Sequence, residues 1–101
     1  MQEDIIFAEP LGHRVVSVSA MDDHILHLIF TNGEQRVFDV KPLLRIKAFK
    51  PLQNRQLFES VKVEYGSVFW PQGIDYCPDT LYAESIALQK FIKPETVKNF
   101  L

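Results

Sequence analysis

Apolar and polar residues alternate in three stretches of the chain, and each alternation predicts a strand. In VVSVSA, residues 15–20, Val16, Val18 and Ala20 fall on one side and Ser17 and Ser19 on the other, the two-residue period of a half-buried strand. Asp22 and Asp23 mark the turn out of it. HILHLIF at 24–30 and QRVFDV at 35–40 flank Asn32-Gly33, a pair suited to a type I′ hairpin turn because both central positions need φ > 0. A two-residue loop there sets Leu28 opposite Val37 and His27 opposite Phe38. Leu26, Leu28, Phe30 and Val37 are then expected on one face. Ile25, Ile29, Phe38 and Val40 take the other, so the hairpin is expected to be partly covered on both sides. The third alternation has Val61, Val63 and Tyr65 against Lys62 and Glu64. It leads into Gly66-Ser67, which suits a II′ turn placing Tyr65 beside Val68 and Val63 beside Trp70.

Helical signals are shorter. Lys41-Pro42-Leu43-Leu44 suits one helical turn with proline at its first position. Residues 54–59 form a short helix capped by Asn54, with Leu57 and Phe58 as buried anchors. Past Pro71 a polar, aromatic loop holds Gly73, Asp75, Tyr76, Pro78, Asp79 and Tyr82. Residues 80–91 have helical spacing, Pro94 starts another short helix, and Ile5-Ile6-Phe7 docks a loosely tied lead-in on the body. The fold class is α+β: a small, mostly antiparallel sheet of about five strands in two hairpins, short helices packed on one face, and a C-terminal helical extension.

Composition narrows the function more than the fold. A chain of 101 residues is expected to form a single domain. Its 47% hydrophobic and 24% charged residues fit a globular domain with one modest core. The net charge is −2 and no run of Lys or Arg exceeds isolated pairs. Phosphate neutralisation calls for a basic stripe, so no direct nucleic-acid partner is expected. No apolar stretch approaches the roughly 18–20 residues of a membrane span. The acidic start MQEDIIFAEP lacks the basic region of a signal peptide. The one cysteine, Cys77, excludes an internal disulfide and fits a reducing cytoplasm.

From about Arg14 to Tyr82 the chain resembles the small bacterial family known as domain of unknown function 2442. The resemblance rests on RVVSVSAMDDHILHLIFTNGEQRVFDVKPLL, FKPLQNRQLFESVKV and GSVFWPQGIDYCPDTLY, in that order. It implies a compact α+β domain with a small antiparallel sheet, and brings no established activity or catalytic residues. Some relatives continue into a helix-turn-helix DNA-binding segment; others are encoded beside a second small protein, in the manner of a toxin–antitoxin pair. Residues 83–101, an extension beyond the family-like body at 14–82, are too few for a helix-turn-helix, so DNA binding is not carried over.

Candidate chemistry concentrates in residues 61–82, where the single Trp, two of the three Tyr and a pair of Asp lie close together. Trp70, Tyr76 and Tyr82 suit either a partner surface or a small core under the loop. Trp70, on the Val61/Val63 side of its hairpin, is expected to be buried. Asp75 and Asp79 suggest acid–base work, but each also has a structural use: Asp79 at a helix start, Asp75 in an Asx turn. His24 and His27 cannot share a metal site, since an offset of three points strand side chains to opposite faces. No metal and no cofactor is expected. His13 stands isolated and solvated. Cys77 has no His partner, and Asp75 and Asp79 are expected to disfavour its thiolate. The leading function is a non-enzymatic interaction or regulatory module, working as a homodimer or with a small protein partner as half of a two-protein unit. The alternative is a small-ligand binder or enzyme using the Asp75/Asp79 loop. The apolar set in the extension (Ile86, Leu88, Phe91, Ile92, Val97, Phe100 and Leu101) needs cover, either as an added core layer on its own sheet or from a second copy, with the homodimer favoured.

Overall fold

The three alternations become strands, and two more join them from the loop and the extension. The computed structural model describes residues 13–91; the lead-in at 1–12 and the helix expected from Pro94 lie outside them. Among the described residues β1 (Val15–Met21), β2 (Ile25–Phe30), β3 (Gln35–Asp39) and β7 (Ile86–Ala87) form a four-stranded sheet in the order β1-β2-β3-β7. A second sheet holds β4 (Lys62–Glu64), β5 (Ser67–Trp70) and β6 (Ile74–Tyr76) in sequence order. All pairings are antiparallel. The class is therefore α+β, with seven strands in two sheets among the described residues in place of about five in one.

Both turns differ from expectation. The first hairpin loop has three residues: the Gly33 N–H donates to the Phe30 carbonyl at 2.8 Å, and the Phe30 N–H donates to the Glu34 carbonyl at 3.0 Å. Only Gly33 needs positive φ, at 88°, and the Asn32 side chain accepts the Glu34 N–H at 2.9 Å. A type I turn closed by one left-handed residue is thus reached without forcing Asn32 into that region. The longer loop shifts the register by one, so Leu26 faces Phe38 and Leu28 faces Arg36. A one-residue slip exchanges faces. Phe38 and Val40 join the core with Leu26, Leu28 and Phe30, while Val37 moves to the outer face with Ile25. Gly33→Val places a branched side chain at positive φ in otherwise open space. It is expected to cost about 1–3 kcal/mol, read as a lower denaturation midpoint at unchanged m-value.

The second hairpin turns on Tyr65-Gly66 with both φ positive, 53° and 78°, the arrangement of a I′ turn. Val63 pairs with Val68 and Lys62 with Phe69. This two-residue shift preserves the faces, and Trp70 is buried as expected, at 3% exposure. Tyr65 itself sits at the turn, 89% exposed. In β1 a bulge falls between Val15 and Ser17; it turns Val16 outward to 55% exposure and gives its inner position to Val15.

The core lies between the inner faces of the two sheets. Val15, Leu26, Leu28, Phe30, Phe38 and Val40 meet Val68, Trp70 and Ile74, with Leu52, Phe58 and Leu81 completing the cluster. Leu52 comes from a 3₁₀ segment at Lys47–Gln53, which follows another at Lys41–Arg45 with Pro42 in its first turn. Phe58 comes from α1 (Arg55–Glu59), whose Asn54 cap accepts the Leu57 N–H at 3.1 Å. The sheets are tied by the Val15 N–H, which donates to the Gly66 carbonyl at 2.9 Å. Beyond β6 the chain forms α2 (Pro78–Glu84), breaks at Ser85, and adds β7 and then α3 (Leu88–Phe91), the last described element. The helical spacing of 80–91 is thus interrupted by a strand.

Candidate functional site

The expected polar, aromatic loop is mostly ordered structure, and its side chains separate. Residues 71–73 make a three-residue turn, with Gln72 and Gly73 at positive φ. Ile74–Tyr76 return as β6 against β5, placing Ile74 opposite Trp70, Asp75 opposite Phe69 and Tyr76 opposite Val68. Strand alternation then puts Asp75 on the outward face and Tyr76 on the inward one.

Trp70 points into the core. Its Nε1–H donates to the Phe58 carbonyl at 3.0 Å, and its ring stacks on Phe58 with centroids 6.4 Å apart. Tyr76 packs between Phe38 and Phe49, and its hydroxyl donates to Glu84 Oε1 at 2.8 Å. Burial, then the Glu84 carboxylate, push its phenol up to about 12, so it remains a neutral donor at physiological pH.

Asp79 and Tyr82, on α2, belong to a different cluster. The Asp79 carboxylate accepts the His13 backbone N–H at 2.8 Å and lies 3.3 Å from His13 Nδ1. Tyr82 lies flat against the His13 imidazole, 3.6 Å between centroids and 10° between planes. The Arg36 guanidinium sits 4.4 Å from the centre of the Tyr82 ring, and Phe30 meets that ring edge-on. Arg36 donates through Nε to Ser85 Oγ at 2.6 Å and through Nη2 to the Ser85 carbonyl at 2.7 Å. A third nitrogen, Nη1, reaches Glu34 at 3.3 Å. The Glu34 carboxylate also raises the Tyr82 phenol, because its charge favours the protonated hydroxyl. Trp70, Asp75 and Tyr76 thus lie apart from Asp79 and Tyr82.

His13, Arg36, Glu34 and Ser85 were not signalled as site residues. His13 is not isolated: the start of β1 brings it to α2. Arg36 would have stood out only with the three-residue loop counted in, since that register alone puts a charge on the inner face opposite Leu28. The cluster is well suited to holding α2 and β7 against β3, because the bidentate guanidinium fixes direction as well as distance.

The His13 N–H, then the His13 ring, depress the Asp79 carboxyl. A depressed acid stabilises the fold above its unfolded pKa, and the contribution is lost as pH falls through the folded value. Asp79→Asn is therefore expected to lower stability at neutral pH and to converge with the parent as pH falls below about 4, flattening the acid limb of the profile. Thermal melts across that range measure the difference.

Cys77 precedes α2 and is exposed. The backbone N–H groups of Thr80 and Asp79 lower its pKa, outweighing the opposing Asp79 charge. That corrects the expectation from the flanking acids alone. Alkylation by iodoacetamide should reach half its limiting rate below the pH of about 8.5 typical of a free thiol. An unshifted profile would contradict the assignment.

Among the described residues no group of three His, Cys, Asp or Glu comes together to hold a metal. His24 lies in the turn before β2 and bonds the Leu52 carbonyl through Nε2 at 2.9 Å, while His27 Nε2 meets Gln35 Oε1 at 2.9 Å. No described helix is long and apolar enough to cross a membrane.

A family model described as a protein of unknown function, DUF2442, matches residues 15–87. The chain belongs to this family. The match runs five residues past Tyr82, through β7, and so includes the strand that closes the four-stranded sheet of this DUF2442 chain. No match is found among curated proteins or among solved structures.

One further feature lies on the outer face of the four-stranded sheet. Ile25, together with Val37 brought there by the register shift, lines an open cleft of about 230 Å³ with Ile86, Phe91, Asp39 and Glu84. Ile86 is 45% exposed and Phe91 39%.

Proposed function

We propose that this chain is a non-enzymatic interaction module of the bacterial cytoplasm, whose work is to hold another protein chain. The observation that carries this reading is the apolar cleft beside β7, where Ile86 and Phe91 remain partly exposed over Ile25 and Val37. Clustered apolar exposure of this kind marks association surfaces. The polar atoms of the candidate loop support the same reading. Trp70 Nε1, the Tyr76 hydroxyl and the Asp79 carboxylate are each engaged by neighbouring groups of the protein. Asp75 and Asp79 occupy different elements, so nothing favours a paired acid and base. Half of a two-protein regulatory unit, or a homodimer, meets these requirements, with no direct nucleic-acid contact.

The test uses the intact chain as bait in host extract, beside Phe91→Asp and an Asp75→Asn/Asp79→Asn double variant. The expected result is a stoichiometric protein partner, the chain itself included, retained by the double variant and lost by Phe91→Asp. Loss in the double variant with retention by Phe91→Asp would move the site to the aspartate side and revive the ligand-binding alternative.

A further inference from the structure

Resting on the reading of this chain as an interaction module, we infer that the β7/α3 face is occupied by a second copy of the same chain, the two related by a two-fold axis. A two-fold interface uses one patch twice, so that patch must complement itself. This face carries both halves of such a match. Ile25 and Val37 form a recess, and the partly exposed Ile86 and Phe91 stand at its walls. A two-fold rotation presents the projecting pair of each copy to the recess of the other.

Charge is distributed in the same self-complementary way. Asp39 and Glu84 line the cleft. The Lys41 ammonium already sits 3.0 Å from Asp39. Glu84 gives Oε1 to the Tyr76 hydroxyl, while Oε2 has no partner among the described residues. Lys90, exposed, adjoins Phe91 on α3. When Phe91 of one copy approaches the opposite recess, Lys90 is carried toward the acid at its rim. A strictly acidic cleft would call for a basic foreign segment; this face carries both signs.

The sheet's topology adds a reason for cover here. Among the described residues β7 is the terminal strand of its sheet and pairs on one side only, a short edge beside the cleft. The cleft alone is smaller than a stable interface, which needs about 800 Å² from each partner. The same outer face continues along β2 through His27 and Ile29, both only partly buried, so the patch can extend that way.

Sedimentation equilibrium of the intact chain across the micromolar range tests the proposal. A dimer is expected. Phe91→Asp and Ile86→Asp should each weaken it by about a hundredfold with an unchanged far-ultraviolet circular dichroism spectrum. Both positions are partly exposed, so their loss of pairing is separable from unfolding. Lys90→Glu should weaken the dimer by about tenfold, and Glu84→Lys added to it should restore pairing. A dimer indifferent to all of these overturns the face while leaving the interaction reading intact. A chain that stays monomeric, yet captures a different protein through Phe91, overturns the second copy as occupant. A monomer that captures nothing sinks both.

Discussion

Replacing Trp70 with alanine is expected to lower the unfolding free energy by about 3–5 kcal/mol. The side chain is nearly inaccessible and is counted among the core residues drawn from both sheets. Truncation therefore opens a cavity where β5, β6 and α1 meet, and leaves the Phe58 carbonyl without the indole donor it accepts at 3.0 Å. Domains of this size commonly have only about 5–15 kcal/mol in hand, so the variant should be unfolded or partly unfolded near physiological temperature. Trp70→Phe separates the two contributions. It keeps most of the apolar contact, loses the donor, and should cost about 1–3 kcal/mol. Urea denaturation followed by circular dichroism measures both. A Trp70→Ala variant with an unchanged midpoint would show that the indole is not part of the core.

Arg36→Met should cost about 2–3 kcal/mol, and the loss should be local before it is global. The guanidinium donates twice to Ser85 and lies against Tyr82. Methionine can fill some of the volume but supplies no donor, so the Ser85 carbonyl loses its charged partner. Because Ser85 directly precedes Ile86, amide exchange should accelerate first at Ile86 and Val37, which pair across β3 and β7. Arg36→Lys should rescue little, since one ammonium cannot reproduce a planar fork. Equal protection of these amides in Arg36→Met and the parent would remove the anchoring role.

The sequence readings that held depend on short-range rules. Asn54 caps α1 as its side chain and position require. Leu26, Leu28 and Phe30 share the inner face because alternation within one strand needs no knowledge of its partner. Trp70 is buried because the error in its hairpin register was an even number of residues. The failures concern how neighbouring strands meet. Asn32-Gly33 serves a two-residue loop and a three-residue loop alike, and only the packing of Phe38 and Val40 against the second sheet selects the latter. Tyr65 lends itself poorly to the left-handed region, yet accepts it so that Val63 can face Val68. His13 finds Asp79 across a sequence separation of 66, a distance no local pattern spans. The family likeness was legible to Tyr82, and β7 beyond it was not, because a two-residue strand carries no periodicity.

The order of strands has a consequence for how the chain reaches this structure. Within β1–β3 and within β4–β6 each strand pairs with its neighbour in sequence, joined by turns of two or three residues. Closing such short loops costs little chain entropy, so each three-stranded meander can begin forming without waiting for the other. The β3–β7 ladder is different. It joins Arg36 to Ala87 and Val37 to Ile86, enclosing the whole second meander within one large loop. Non-local closure of this kind slows folding, and it comes late, after the two meanders have buried their shared core. The strand beside the cleft is then the last piece to lock and the first to open. During synthesis its two residues emerge after every other described strand, and the outer cleft cannot be complete until they arrive.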